Sequence, residues 1–264
     1  MPLPLNLVLV RHGESEGNDA NRRSRKGDHG AFTPDFRTRH SSTWRLTDRG
    51  ITQAQAAGTW LKANQLDRFD RYSVSTYLRA VETAALLNLP APKWYIEYYL
   101  REREWGDLDT LPDNERQERF AEALAKRKAD SFYWQPPGGE SLAQASLRVD
   151  RSIETHSRET STGSALIVCH GEIMTLFRVR IERIGQHEFK EATETRSEKI
   201  NNCQILHYSR QDEHGQIFPF MVRRRSICPW DPSRSTNEWR PIVRQSYSNA
   251  DLLAIAQSVA RMVN

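Results

Sequence analysis

Long apolar runs are missing from this 264-residue chain. Nothing in it approaches the ~20 consecutive apolar residues that a membrane-spanning helix requires, so no membrane association is expected. Cysteine is scarce. The three present, Cys169, Cys203 and Cys228, are odd in number and lack C-x-x-C spacing, which argues against both a disulfide framework and a zinc knuckle. The opening MPLPLNLVLVR has no basic leader and runs directly into an apolar strand. No signal peptide is expected, and a reducing cytoplasm is the expected compartment. No internal repeat or low-complexity linker stands out, which leaves a single domain as the expected organisation.

What is present alternates between two periodicities. Leu7 to Val10 and the run SALIVC before His170 are short and aliphatic, as strands buried on both faces of a parallel sheet should be. Tyr72 to Ser75 and Trp94 to Tyr99 read as further strands. Between them lie helical patterns: Ile51, Ala54, Gly58 and Leu61 behind a Thr47 cap, LRAVETAALL behind Ser75 or Thr76, a charged surface helix in DNERQERFAEALAKRKAD, a helix capped by Ser141, and EIMTLFRVRI. Cys203 to Tyr208 and Ile217 to Val222 look like strands at an edge of the sheet. Strands alternating with helices over residues 5 to 208 predict a three-layer α/β/α sandwich with a mostly parallel sheet. Residues 1–208 are expected to form the catalytic domain, with 209–264 as a C-terminal extension packed on it. That extension is less regular, with a basic triplet at Arg223 to Arg225 and a final helix from about Ala250.

Chemistry-bearing residues gather at strand ends. Arg11, His12 and Gly13 leave the first strand, Arg79 sits in the first turn of the helix after the second, Glu102 follows the third, and His170 with Gly171 ends another. The carboxyl ends of parallel strands share one edge, so these residues can converge. Two arginines suit an anion, a helix N-terminus adds backbone donors, and Gly13 and Gly171 are expected to let backbone approach a ligand. The chemistry that fits is phosphoryl transfer. A neutral imidazole attacks phosphorus, the arginines and the second histidine neutralise the equatorial oxygens, and a carboxylic acid protonates the leaving alcohol. Fixed cations stabilise the charge, so neither a metal nor a cofactor is expected.

The motifs LVLVRHGESEGN, STYLRAVETA, LREREWGDL and IVCHGE, in that order, resemble those of the histidine phosphatase superfamily, in the branch that includes phosphoglycerate mutases and many small-molecule phosphatases. The resemblance covers about residues 5 to 208. It implies that His12 is the phosphorylated nucleophile and that Arg11 and Asn18 contact phosphate or substrate. It further implies Arg79 as the second arginine, Glu102 rather than Glu104 as the proton donor, and His170 as the second histidine.

Two competing signatures are weighed and set aside. CPWDPSR has the Cys-x5-Arg spacing of tyrosine phosphatases, but Pro229 and Pro232 remove backbone N–H groups such a loop needs, and a rigid loop is the better reading. DLDT, at Asp107 to Thr110, follows polar REREWG and reads as an acidic turn. Cys169 is expected to be a core thiol, because neighbours on a strand face opposite ways.

Residues 19 to 45 hold seven Lys or Arg against three Asp, while the rest of the chain is formally neutral. This basic insertion starts and ends beside the expected pocket mouth. Arg22, Arg23, Arg25 and Lys26 are therefore expected to select a polyanionic small substrate, the bland alternative being a disordered solvated loop. A basic loop beside a phosphate pocket needs no nucleic acid to explain it, so none is expected as partner. The insertion stands where glycolytic mutases carry a short F-x-G-W-like segment, and PPGGES is more like the phosphatases, so hydrolysis of a phosphomonoester is expected. The alternatives are mutase-type transfer and a phosphate-binding scaffold without catalysis.

Overall fold

The computed structural model describes residues 1–185, 188–193, 195 and 198–262. Seven strands form one sheet: β1 (Asn6–Arg11), β2 (Arg71–Ser75), β3 (Trp94–Glu97), β4 (Ser164–Cys169), β5 (Ile205–Ser209), β6 (Arg223–Ile227) and β7 (Arg240–Pro241), in the order β3-β2-β4-β1-β5-β6-β7. Strands β3, β2, β4 and β1 are parallel, and β5, β6 and β7 continue the sheet antiparallel. The α/β sandwich expected from the alternating pattern is therefore present, with a parallel half that contains every strand-end motif.

The alternation of β1 builds two cores. Leu7 and Leu9 face one side, with Ile167, Ile173 and Phe177, under α7 (Leu142–Glu159) and α8 (Gly171–Glu182). Val8 and Val10 face the other, with Ala54, Leu61 and Val168, under α3 (Asp48–Ala63) and α4 (Leu78–Leu86). All four β1 residues are fully buried, each aliphatic side chain being worth about 1.5–3 kcal/mol of transfer free energy. Thr47 and Ser141 cap α3 and α7 as their sequences require, accepting from Gly50 N at 3.1 Å and Gln144 N at 3.1 Å.

Several local expectations are corrected. Strand β5 lies inside the sheet between β1 and β6, not at an edge. Ile217 to Val222 is not a strand; Ile217 makes only an isolated bridge to Gln211, and the basic triplet Arg223 to Arg225 supplies the next strand instead. Alternate arginines there lie over Trp239, so cationic side chains on apolar stems can occupy a strand whose faces are partly covered. The sheet thus runs past residue 208, and the segment 209–264 contributes β6 and β7; residues 263 and 264 lie outside the described ones. The charged helix is two helices, α5 (Asp113–Arg119) and α6 (Ala121–Ala129), broken at Phe120 with φ −128°.

The insertion is ordered. It comprises α1 (Glu16–Ser24), α2 (Pro34–Thr38) and a 3-10 turn at Ser41–Thr43, and is pinned by a bridge between Ser15 and Leu46. Phe36 stacks on Trp44 at 4.9 Å, and Arg37 forms a two-pronged ion pair with Glu115. These contacts oppose the entropy that would leave such a loop disordered. The remaining described helices are α9 (Phe189–Thr193) and α10 (Asn249–Gln257).

Candidate active site

His12 leaves β1 and is almost completely buried. Its Nδ1 lies 2.7 Å from the carbonyl oxygen of Gly13, which can only accept, so the ring proton sits on Nδ1. The lone pair of Nε2 is thereby left for an electrophile, and Arg79 Nε donates to it at 3.2 Å. Burial, with the charges of Arg79 and Arg11, holds the imidazole well below its ordinary pKa. His12 is therefore neutral, the form in which a histidine is nucleophilic.

The turn after His12 exists because two backbones touch. A Cβ on Gly13 would lie 2.4 Å from Gly50 O, and one on Gly50 would lie 2.1 Å from Glu14 O. Gly13 thus lets the loop meet the start of α3, rather than admitting a ligand as the sequence suggests. Gly171 lines the neighbouring cavity, and a Cβ there would lie 3.2 Å from Arg11 Nε, so its missing side chain also makes room for an arginine.

Arg79 is the second residue of α4. Its Nη1 donates to Ser41 O at 2.6 Å, and its guanidinium lies over Tyr77 at 4.8 Å. The insertion therefore holds a central arginine through a backbone carbonyl. Arg11 donates to Ile200 O at 2.8 Å while its Nε is buried without a partner. His170 caps α8 from the end of β4, 5.1 Å from the His12 ring. Ser75 Oγ sits 2.7 Å from His170 Nε2 and accepts from Tyr77 N. The expected cap of α4, Ser75 or Thr76, is thus wrong: Tyr77 occupies that position, and Ser75 orients the second histidine. His170 Nδ1 is left buried and unpartnered beside His12.

Glu102 follows a 3-10 turn at Tyr98–Leu100. Arg103 N donates to its Oε1 at 3.0 Å, and burial together with the charge of Glu172 pushes the carboxyl up to about 7. The neighbouring cations Arg79 and Arg11 oppose that rise. Glu104, the other carboxylate of this segment, instead accepts from Tyr77 OH at 2.8 Å and does not line the cavity.

These groups open onto a cavity of about 600 Å³. Nine cationic side chains line it against four acidic ones, so its field favours an anion. Asn18 lines it as well. Its Oδ1 accepts from Ser15 N and from Asn202 Nδ2, which leaves the amide NH2 as the group it can offer. Of the four insertion cations expected to select the substrate, Arg22 and Arg25 line the cavity. Arg23 turns to Asp28 at 2.7 Å and neither it nor Lys26 lines the wall, so Arg23 is not brought to the site.

Other wall residues were not singled out in the sequence. Gln53 accepts from Glu14 N, and Asn202 donates to His12 O at 3.1 Å, fixing the loop that carries His12. Polar residues beside strand ends, such as Ser75 and Asn202, carry the same signal that exposed His170. Trp230 and Arg234, within CPWDPSR, also reach the cavity, whereas Cys228 is buried away from it with its thiol pushed up to about 11. Asp109, within DLDT, lines it too, its carboxyl raised by burial. No signal in the sequence marks these as wall residues, because long-range packing alone places them. Among the described residues no three His, Cys, Asp or Glu side chains gather as metal ligands would, and no helix is long and apolar enough to cross a membrane.

The profile of the Histidine phosphatase superfamily (branch 1) matches residues 7–218. The chain belongs to this superfamily. Among its relatives is a 2,3-bisphosphoglycerate-dependent phosphoglycerate mutase of Parvibaculum lavamentivorans, 31% identical over 195 residues, covering 70% of this chain and 84% of the relative. The same-named protein of Methylobacterium radiotolerans is 36% identical over 150 residues, 54% of this chain, and the match spans 62% of that protein's length. The crystal structure of the alpha-ribazole phosphatase from Shigella flexneri has the same fold, with a TM-score of 0.61 at 22% identity over 82% of this chain and 95% of that one. The two relatives thus carry a mutase name, while the protein of the same fold carries a phosphatase name.

Proposed function

We propose that this histidine phosphatase superfamily member hydrolyses a phosphomonoester through a phosphohistidine on His12, without a metal. The observation that carries the reading is one cavity that pairs a neutral imidazole, whose Nε2 bears no proton and accepts from Arg79, with a carboxyl raised to about 7. Nε2 attacks phosphorus and the bond to the leaving oxygen breaks, while Glu102 gives that oxygen its proton. Arg11, Arg79 and the Nδ1 edge of His170 surround the position of the equatorial oxygens and offset their charge. The phosphorylated ring is cationic, and its Nδ1–H stays bonded to Gly13 O. Water then attacks phosphorus, Glu102 takes its proton, and the P–N bond breaks to return the electron pair to Nε2.

Hydrolysis is favoured over transfer by the space around the acid. A second cavity of about 890 Å³, far more than a three-carbon acid fills, shares Arg11, Glu102 and Leu124 with the first, and this space beside the acid favours escape of the displaced alcohol over a second attack. Excess cationic charge, to which Arg22 and Arg25 contribute, supports a polyanionic small substrate. Mutase-type transfer is the second reading, favoured by the names of relatives that are 31–36% identical. One assay separates the two: phosphate release from a panel of phosphomonoesters beside interconversion of 3- and 2-phosphoglycerate. Release without interconversion is expected, with phosphate trapped on His12 in a rapid quench and no trapping in His12→Ala. Interconversion faster than release would establish the mutase reading, and near-normal release by His12→Ala would overturn both.

A further inference from the structure

The second cavity has an unusual wall. Along α6, Ala121, Leu124, Ala125 and Lys128 recur at i, i+3, i+4 and i+7, the spacing of one helix face, and all four line this space. No residue of α6 is buried, and Ala121, Ala125 and Lys128 are exposed, so the stripe that would ordinarily pack on a core borders an open cavity of about 890 Å³. Leu142, Thr175 and Phe189 line it from α7, α8 and α9. The helix is nevertheless held in place. Arg127 lies over Trp105 and Trp134 at 4.8 and 5.6 Å, and Lys190 Nζ donates to the carbonyls of Lys128 and Ala129. The helix is therefore a fixed wall of a chamber that is open to solvent on one side.

Its connection to the chemistry is through Glu102 and Arg11, which line both cavities. The chamber also has a sign. Glu172 is engaged by Arg103 at 2.9 Å, and Glu198 by Arg178 and Arg224 at 3.0 Å each. Among the described residues no carboxylate pairs with Lys128 or Lys199 on the same wall.

We infer that this chamber is the leaving-group subsite, and that the alcohol it takes is a bulky, largely apolar body, aromatic or aliphatic, bearing an anionic group at its far end. The assignment rests on Glu102 protonating the leaving oxygen, because an acid shared by the two cavities directs the rest of the leaving group into the second. The apolar face of α6 covers the body, and Lys128 meets the terminal anion.

Binding of inert phosphonates tests the chamber independently of turnover. Calorimetry would compare methylphosphonate, 2-naphthylmethylphosphonate and its 6-carboxy derivative on the wild type, Ala125→Trp and Lys128→Gln. The naphthyl arm should tighten binding by at least about tenfold over methylphosphonate, as burial of its rings requires, and the carboxylate should add roughly threefold at low salt. Ala125→Trp should erase the naphthyl gain and leave methylphosphonate unchanged. Ala121→Phe serves the same purpose should the tryptophan variant melt early. Lys128→Gln should erase only the carboxylate's contribution. Equal affinity for the methyl and naphthyl compounds, or a naphthyl gain that survives both chamber-filling variants, would overturn the inference. Release of 4-nitrophenol from its phosphate, measured alongside, reports on hydrolysis itself, so a failed chamber and a failed reaction give different results.

Discussion

Replacing Glu102 by glutamine preserves the size of the side chain and removes the only proton the leaving oxygen can take from it. The size of the loss follows from the leaving group. An alkyl alkoxide is too basic to leave unprotonated, and a positioned acid typically contributes about 10²–10⁴-fold, so Glu102→Gln should lower kcat/KM for an alkyl phosphate by that range. 4-Nitrophenolate leaves readily without a proton and should lose under about tenfold. The pH dependence has a defined sign. In the proposed mechanism Glu102 works protonated, and burial and Glu172 raise it to about 7, so alkyl phosphate turnover should fall as pH rises through 7, reaching about a tenth of its plateau near pH 8. His12 must be neutral and is held well below its ordinary value, so the acid limb lies below 6.5. Glu172→Gln removes a charge that lifts the acid, and should move the alkaline limb to lower pH. Stopped assays of phosphate release from pH 5 to 9, on both substrates and all three proteins, supply the comparison. Equal losses on alkyl and nitrophenyl substrates, or an alkaline limb that persists in Glu102→Gln, would refute Glu102 as the acid.

The insertion's two pairs of cations should separate. Arg22→Gln with Arg25→Gln should raise KM for a bisphosphorylated sugar roughly tenfold at low salt, an effect that weakens as the Debye length falls below ~10 Å, and should hardly change a monophosphorylated one. Arg23→Gln with Lys26→Gln should change neither; steady-state kinetics at two salt concentrations decide. Gly50→Ala places a methyl group 2.1 Å from Glu14 O and should cost about 2 kcal/mol, lowering Tm by about 4–8 °C in a calorimetric melt. An unchanged Tm would show that the contact between the His12 turn and α3 yields easily.

The convergence of the candidate groups was legible in the residues because it depends on local order along the chain. A strand that ends in Arg11 and His12, another that ends in His170, and Arg79 at a helix start all follow from short patterns, and parallel pairing then brings them to one edge. Capping by Thr47 and Ser141 is local in the same sense. The remainder is decided by contacts far apart in sequence. Central placement of β5 comes from its pairing with β1, about 200 residues away, and aliphatic content alone does not distinguish a central strand from an edge one. The insertion looks solvated by composition, yet Ser41 O holds Arg79 and Arg37 pairs with Glu115. Glycines 13 and 171 announce close approach without saying to what, and the partners proved to be Gly50 and Arg11. Sparse apolar positions along α6 read as a surface helix, while the chamber they line exists only because α7, α8 and α9 close its other sides. Local pattern thus determined which reactive groups this protein carries, and nonlocal packing decided their surroundings, because cavities and buried charge arise only when distant segments exclude water together.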